Sequence, residues 1–148
     1  MRSARTAQIV EAATGVLDAE GVEVLTMRRV AAELGIQAPS LYKHVPDKAV
    51  LIAAIVEDAF ADMGAALHGA VDPADPTGST TELLSAYRAH AVEWPHRYRL
   101  ATVGPLDRTL IAPGLEQWAG TPFFLVAGEQ YRAQALWAFA HGMAVLEI

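Results

Sequence analysis

The chain has 148 residues, of which 53% are hydrophobic and 19% charged, with a net charge of −6. That composition fits one packed domain, or two small ones sharing a core, and excludes a disordered chain. There is no cysteine, which removes disulfides, thiolate metal sites and cysteine nucleophiles and suits a reducing compartment.

Taken in order, nearly every segment reads as helix. Apolar residues at Ile9, Ala13, Val16 and Leu17 share one helical face, and Gly21 stops that helix. Thr26 is a candidate N-cap for a second helix with Met27, Val30, Ala31 and Leu34 on its inner face. Arg29 stands where a capping box would place Glu, so that signature is absent. Gly35 closes the second helix. A third, short helix is predicted over 38–44, with Pro39 in its first turn, where a missing N–H costs little. Val45-Pro46 breaks it. Asp47 then caps a long fourth helix whose stripe runs through Leu51 or Ile52, Ile55, Ala59 or Phe60, Met63 and Leu67. Residues 69–80, "GAVDPADPTGST", read as a loop or flexible linker. Further helices are predicted over 81–94, 96–103, 106–119 and 129–148, divided by Trp94-Pro95, Gly104-Pro105 and Gly120-Thr121-Pro122. "FFLVA" (123–127) reads as a buried turn or helix start. The expected fold is all-α.

Two short helices joined by a tight glycine turn and braced by an earlier helix make a helix-turn-helix. At 100° per residue, turning Leu41 inward brings Ala38 and Val45 to the same side and sends Pro39 and Lys43 outward, with Ser40 and Tyr42 on the flanks and His44 near an edge. The outer face thus carries a hydroxyl, a phenol, an ammonium and an imidazole, groups that donate to phosphates and base edges. Gln37 is a further base-edge reader. Thr26 and Lys48 stand at helix N-termini, which favour phosphate. Net acidity does not oppose this. Residues 1–48 hold six basic and six acidic side chains, and the whole −6 lies in residues 49–148.

The run "LTMRRVAAELGIQAPSLYKHVPDKAVLIAAI", preceded by "IVEAATGVLDAEGVEVLT", resembles the DNA-binding domain of the tetracycline-repressor (TetR) family over about residues 5–60. The resemblance implies that Gln37, Pro39, Ser40, Tyr42, Lys43 and His44 lie in or beside the major groove of double-stranded DNA. It also implies that Thr26, Tyr42 and Lys48 hold phosphates, and that Arg28 reaches a base from the second helix. "AYRAHAVEWPHRYRLAT" (86–102) and "ALWAFAHGMAVLEI" (135–148) resemble a regulatory domain of the family's Trp-His-Gly subgroup, here Trp137, His141 and Gly142. Such a domain binds a small-molecule effector and dimerises through its last two helices.

The expected division is therefore a helix-turn-helix domain over 1–47 and a ligand-binding and dimerisation domain over 48–148. The sequence stops inside an apparent helix, so the second domain is expected to be incomplete. Candidate ligand contacts are His90, Trp94, Tyr98, Trp118, Trp137 and His141. The predicted function is a ligand-responsive repressor, dimeric on a palindromic operator; the alternative is a helical ligand-binding or scaffolding protein that has lost DNA binding. No nucleophile, metal or phosphate-loop motif is visible, so neither an enzyme nor a cofactor is expected. "MRSARTAQIVEAATG" lacks the apolar core of a signal peptide and no apolar run approaches the roughly 18 residues of a membrane helix, so a cytoplasmic protein without a membrane partner is expected.

Overall fold

The computed structural model describes residues 2–104 and 106–148, and among these it holds eight α-helices and no strand. The first three are α1 (Ala4–Glu20), α2 (Met27–Glu33) and α3 (Ala38–Leu41). The long α4 (Lys48–Gly69) leads to α5 (Thr80–Glu93), α6 (Pro95–Thr102), α7 (Leu115–Ala127) and α8 (Gln130–Glu147). One continuous hydrophobic core runs from Ile9 on α1 to Ala144 on α8.

Each short helix of the head is fixed by its ends. Ser3 Oγ caps α1 by accepting from the Thr6 N–H, and Gly21, at φ 82°, closes it. Thr26 Oγ1 caps α2 through the Arg29 N–H, 3.1 Å away. At the other end, the Gly35 N–H reaches Ala32 O and the Ile36 N–H reaches Ala31 O, at 3.1 and 3.0 Å. This crossed pair is a Schellman closure, and it needs the left-handed φ of 64° that Gly35 adopts without steric cost. The regular part of α3 ends at Leu41, shorter than the expected 38–44, because the extended conformation required before Pro46 tightens residues 42–44 into a turn. That turn is held by the His44 and Val45 N–H groups, both donating to Leu41 O. Leu41 and Val45 are fully buried, as the helical geometry requires.

The 22-residue α4 is about 33 Å long at 1.5 Å per residue. Its first half packs on the head and its second half on α7. Asp47 Oδ1 caps it through the Val50 N–H. Leu51, Ile55, Val56, Phe60, Met63 and Leu67 form its buried stripe; each large apolar side chain withdrawn from water contributes roughly 1.5–3 kcal/mol.

The connection between α6 and α7 departs from expectation. Instead of a helix over 106–119, residues Arg108–Leu110 make one 3-10 turn and α7 begins at Leu115. Asp107 Oδ1 accepts from both the backbone N–H and the hydroxyl of Thr109, a local closure that competes with helix. Pro113 and Gly114, at φ 84°, then delay the start. Conversely, α7 runs straight through Gly120-Thr121-Pro122 and takes in "FFLVA" as its last turns. Pro122 has no N–H for the carbonyl four residues back, that of Trp118. His68 on α4 supplies the missing donor, its Nε2 lying 2.9 Å from Trp118 O. A carbonyl only accepts, so His68 carries its proton on Nε2. The two rings also stack, 4.9 Å between centroids at 22°. Gly64, one turn before His68, makes room: a Cβ there would overlap the Trp118 ring.

This substitution of a side-chain donor for a backbone one is testable by a double-mutant cycle. His68→Ala is expected to destabilise the protein by about 0.5–1.5 kcal/mol in urea titrations, because it removes the donor to the solvent-accessible Trp118 carbonyl. In a Pro122→Ala background, where the backbone N–H is restored, the same change is expected to cost markedly less.

Candidate functional site

The outer surface of the head is built by the short helices. Burial of Leu41 and Val45 fixes the rotation of the 38–45 segment, and Pro39, Tyr42, Lys43 and His44 consequently stand exposed, Tyr42 with half its surface free. Ser40 is half-buried. Gln37 is the N-cap of α3 but makes no side-chain cap bond, so its amide remains available on the surface. Thr26 spends its oxygen lone pair on the Arg29 N–H and keeps its hydroxyl proton to donate. Lys48 opens α4 beside the helix N–H groups that have no intrahelical partner.

Charge divides along the same line. Arg29 is neutralised by Glu20 and Glu33, at 2.5 and 2.8 Å, and Arg2 by Glu57 and Asp58, at 2.8 and 2.7 Å. Hydrogen bonding to Glu20 and Glu33 pushes the Arg29 guanidinium pKa further up. Arg28, Lys43 and Lys48 form no ion pair among the described residues. Asp18, Glu20 and Glu33 of the head are thus paired with arginines away from α3, while Arg28, Lys43 and Lys48 are exposed.

The second feature is a cavity of about 320 Å³ between α4, α5, α6, α7 and α8, adjoined by a lobe of about 70 Å³. Phe60, Met63, Tyr87, Glu116, Gly120 and Trp137 line both parts. Behind its wall lies a buried chain of hydrogen bonds. Tyr87 Oη and Tyr98 Oη are 2.8 Å apart, and Tyr98 Oη is 2.6 Å from His141 Nδ1. Burial raises the pKa of both phenols; the Tyr98 bond adds to the shift of Tyr87 and the neighbouring Trp137 opposes it, whereas the Tyr87 bond opposes that of Tyr98. Trp137 stacks on His141 one helical turn away, at 5.2 Å and 9°.

Of the aromatic and imidazole residues singled out from sequence, Tyr98, Trp137 and His141 converge here, and Trp137 forms part of the wall. His90, Trp94 and Trp118 stand away from the cavity. His90 is half-buried, and that burial lowers its pKa against the pull of Asp62 and Glu93. Trp94 carries the Arg97 guanidinium 4.1 Å above its ring. Trp118 packs on His68, as described. Sequence reasoning missed Tyr87, Phe123 and Gly120 as wall residues and read Phe60 and Met63 as plain core. Their only signal was helical spacing, which a cavity wall and a filled core share.

The head and the cavity are joined by α6. Arg97 grips Asp18 of α1 through Nε and Nη2, at 2.5–3.0 Å, while the next residue, Tyr98, holds the buried chain. Hydrogen bonding to Asp18 raises the Arg97 pKa further, against the cost of burial.

Residues 9–55 match the model for bacterial regulatory proteins of the tetR family. An HTH-type transcriptional regulator of Mycobacterium tuberculosis is 31% identical over 153 aligned positions, covering 95% of this chain and 68% of that protein. The HTH-type transcriptional repressor DrrR1 of Streptomyces coeruleorubidus is 58% identical over 45 residues, which is 30% of this chain but only 17% of the repressor. Among solved structures, a possible TetR family regulator from Streptomyces coelicolor A3(2) superposes with a TM-score of 0.70 at 25% identity, covering 94% of this chain and 69% of that one. ActR of S. coelicolor, in complex with (S)-DNPA, superposes with a TM-score of 0.67 at 22% identity over 96% and 70% of the two chains. The chain belongs to the tetR family of bacterial regulatory proteins, the family model falling on residues 9–55. It spans about two thirds of the length of the mycobacterial regulator and of these two structures. No helix among the described residues is long and apolar enough to cross a membrane.

The buried chain behind the cavity makes an ordered prediction. Tyr98→Phe leaves both Tyr87 Oη and His141 Nδ1 without their partner and is expected to cost about 1–3 kcal/mol. Tyr87→Phe leaves the Tyr98–His141 bond intact and is expected to cost less. Urea midpoints of the two variants decide the order.

Proposed function

We propose that this chain is a ligand-responsive transcriptional repressor that binds a palindromic operator as a homodimer and is released by a small-molecule effector. In this reading residues 1–47 are the DNA-reading head and residues 48–148 the regulatory domain, of the Trp-His-Gly kind marked by Trp137, His141 and Gly142. The observation that carries it is the outer face of the 37–48 segment, where a tightly seated short helix holds polar and cationic groups outward with no acid paired to them. Gln37, Pro39, Ser40, Tyr42, Lys43 and His44 enter or border the major groove. Thr26, Tyr42 and Lys48 hold phosphates, with helix N-termini assisting at 26 and 48. Arg28 reaches a base edge from α2.

Dimerisation is supported by the apolar outer surface of α7 and α8, on which Phe124, Phe139, Met143 and Leu146 are each at least half exposed. Two heads held by that contact read successive major grooves about 34–36 Å apart. The cavity supports an effector site, and the ActR complex is a related fold with a small molecule bound. The effector acts by binding more tightly to the arrangement whose head spacing does not fit DNA, a population shift that requires differential affinity.

Selection of bound fragments from random duplexes is expected to enrich a palindrome, and its absence would sink the operator reading. Binding is expected to weaken steeply with salt. Lys48→Ala is expected to weaken binding about equally on all sequences and lower the slope of log K against log salt by about 1, whereas Gln37→Ala changes base preference at its position with little change in slope. Fluorescence anisotropy over a salt series distinguishes the two.

A further inference from the structure

The joint between the head and α6 is only partly filled. A groove of about 410 Å³ separates the α1–α2 turn from α6, walled by Val22 and Glu23 on the head side and by His96, Leu100 and Val103 on the other. At its floor Gly21 is buried against His96, whose Cε1 lies 3.4 Å from where a Cβ on Gly21 would stand. Close packing holds the turn of the head at that point and is absent along the rest of the groove. The angle of the head on α6 therefore depends on contacts outside the groove.

Such a contact is made by Arg97 of α6 with Asp18 of α1. Arg97 Nε lies 2.9 and 3.0 Å from the two carboxylate oxygens, and Nη2 lies 2.5 Å from Oδ2. A planar guanidinium gripping both oxygens fixes direction as well as distance. Only 20% and 24% of the two side chains are exposed, so solvent screens the pair less than a surface pair. Arg97 is itself fixed from behind. Its guanidinium carbon stands 4.1 Å from the centroid of the Trp94 ring, Asp62 of α4 is 4.0 Å away, and the next residue, Tyr98, is tied to Tyr87 and His141. Among the described residues no other ion pair joins α6 to residues 1–47.

We infer that Arg97 and Asp18 are positioning residues for DNA recognition: their grip sets the angle of the head and with it the half-site spacing that the dimer accepts. This rests on the operator reading above. One base pair more or less between half-sites moves the second site by about 3.4 Å and turns it by about 35° around the duplex. Heads held at a fixed angle cannot follow that change, and the second head forfeits its contact. Heads that turn freely on α6 can follow it. Neither residue needs to touch DNA; both act through the placement of α1.

The test uses the full chain and the palindrome recovered by selection from random duplexes. Its central spacer is kept, lengthened or shortened by one base pair, and a fourth duplex carries a single half-site. The wild type is expected to bind the two altered spacers about tenfold more weakly than the selected one, because a misplaced second head loses simultaneous engagement. Asp18→Asn and Arg97→Gln are each expected to narrow that ratio to about threefold, with affinity for the single half-site kept within about twofold. The double variant is expected to match either single one, since both changes break the same contact. Arg88→Gln, which breaks the exposed pair between α5 and α8, is the control and is expected to keep the wild-type ratio. Helical circular dichroism identifies the folded variants. Wild-type indifference to spacer length, full selectivity in folded Asp18→Asn or Arg97→Gln, or an equal loss on the single half-site would overturn the inference and leave the operator reading standing. If selection enriches no palindrome, the operator reading falls and this inference falls with it.

Discussion

A helix of 22 residues with one long apolar face has to be covered along its whole length, and α4 is covered by different partners at its two ends. Near the N-terminus it is the wall on which the head rests; further along, its Phe60, Met63 and Leu67 face α7 and the cavity. The same rod therefore has Lys48 at one end and a cavity wall at the other. The Arg97–Asp18 pair adds a second tie between the halves, through α6.

Polar atoms buried along this framework are all accounted for: among the described residues no buried side-chain nitrogen or oxygen lacks a partner. The two most informative arrangements are those in which one element supplies what another lacks. His68 gives Trp118 the donor that Pro122 cannot. Tyr98 stands between Tyr87 and His141 and ties α5, α6 and α8 at one point. Because an orphaned buried group costs about 1–3 kcal/mol, the Tyr87–Tyr98–His141 tie fixes relative helix positions more sharply than apolar contact does. The cavity beside them is left open in a wall that is otherwise firmly held.

The head shows how net charge misleads. The chain is acidic overall, yet Asp18, Glu20, Glu33, Glu57 and Asp58 are paired with Arg97, Arg29 and Arg2, while Arg28, Lys43 and Lys48 form no ion pair among the described residues. Only the arrangement of pairs distinguishes a cation left in solvent from one that braces a helix. Arg28 and Arg29 are adjacent in sequence and indistinguishable there. One helical step of 100° sends the second toward Glu20 and leaves the first in solvent.

Much of the head was legible from residues 25–48 because its rules are local. A Gly at a required left-handed turn, a Thr cap, a Pro in a first turn and a Leu–Val inner face each act within a few positions, and together they assign inside and outside to α3. The second half obeyed local rules less faithfully. Gly120-Thr121-Pro122 reads as a helix stop, and α7 passes through it because a donor arrives from a histidine 50 residues earlier. Residues 106–119 carry a helical pattern, and a two-residue Asp107–Thr109 closure with Pro113-Gly114 defeats most of it. Sequence alone determined the all-helical class, the helix-turn-helix and its outward face, since those depend on spacing and on backbone conformations that single residues dictate. Tertiary structure decided which aromatics line a space and which fill one, which arginines are free, and where α7 begins and ends. Those outcomes turn on partners that are distant in the chain, and periodicity cannot distinguish a side chain facing an empty cavity from one facing a neighbour.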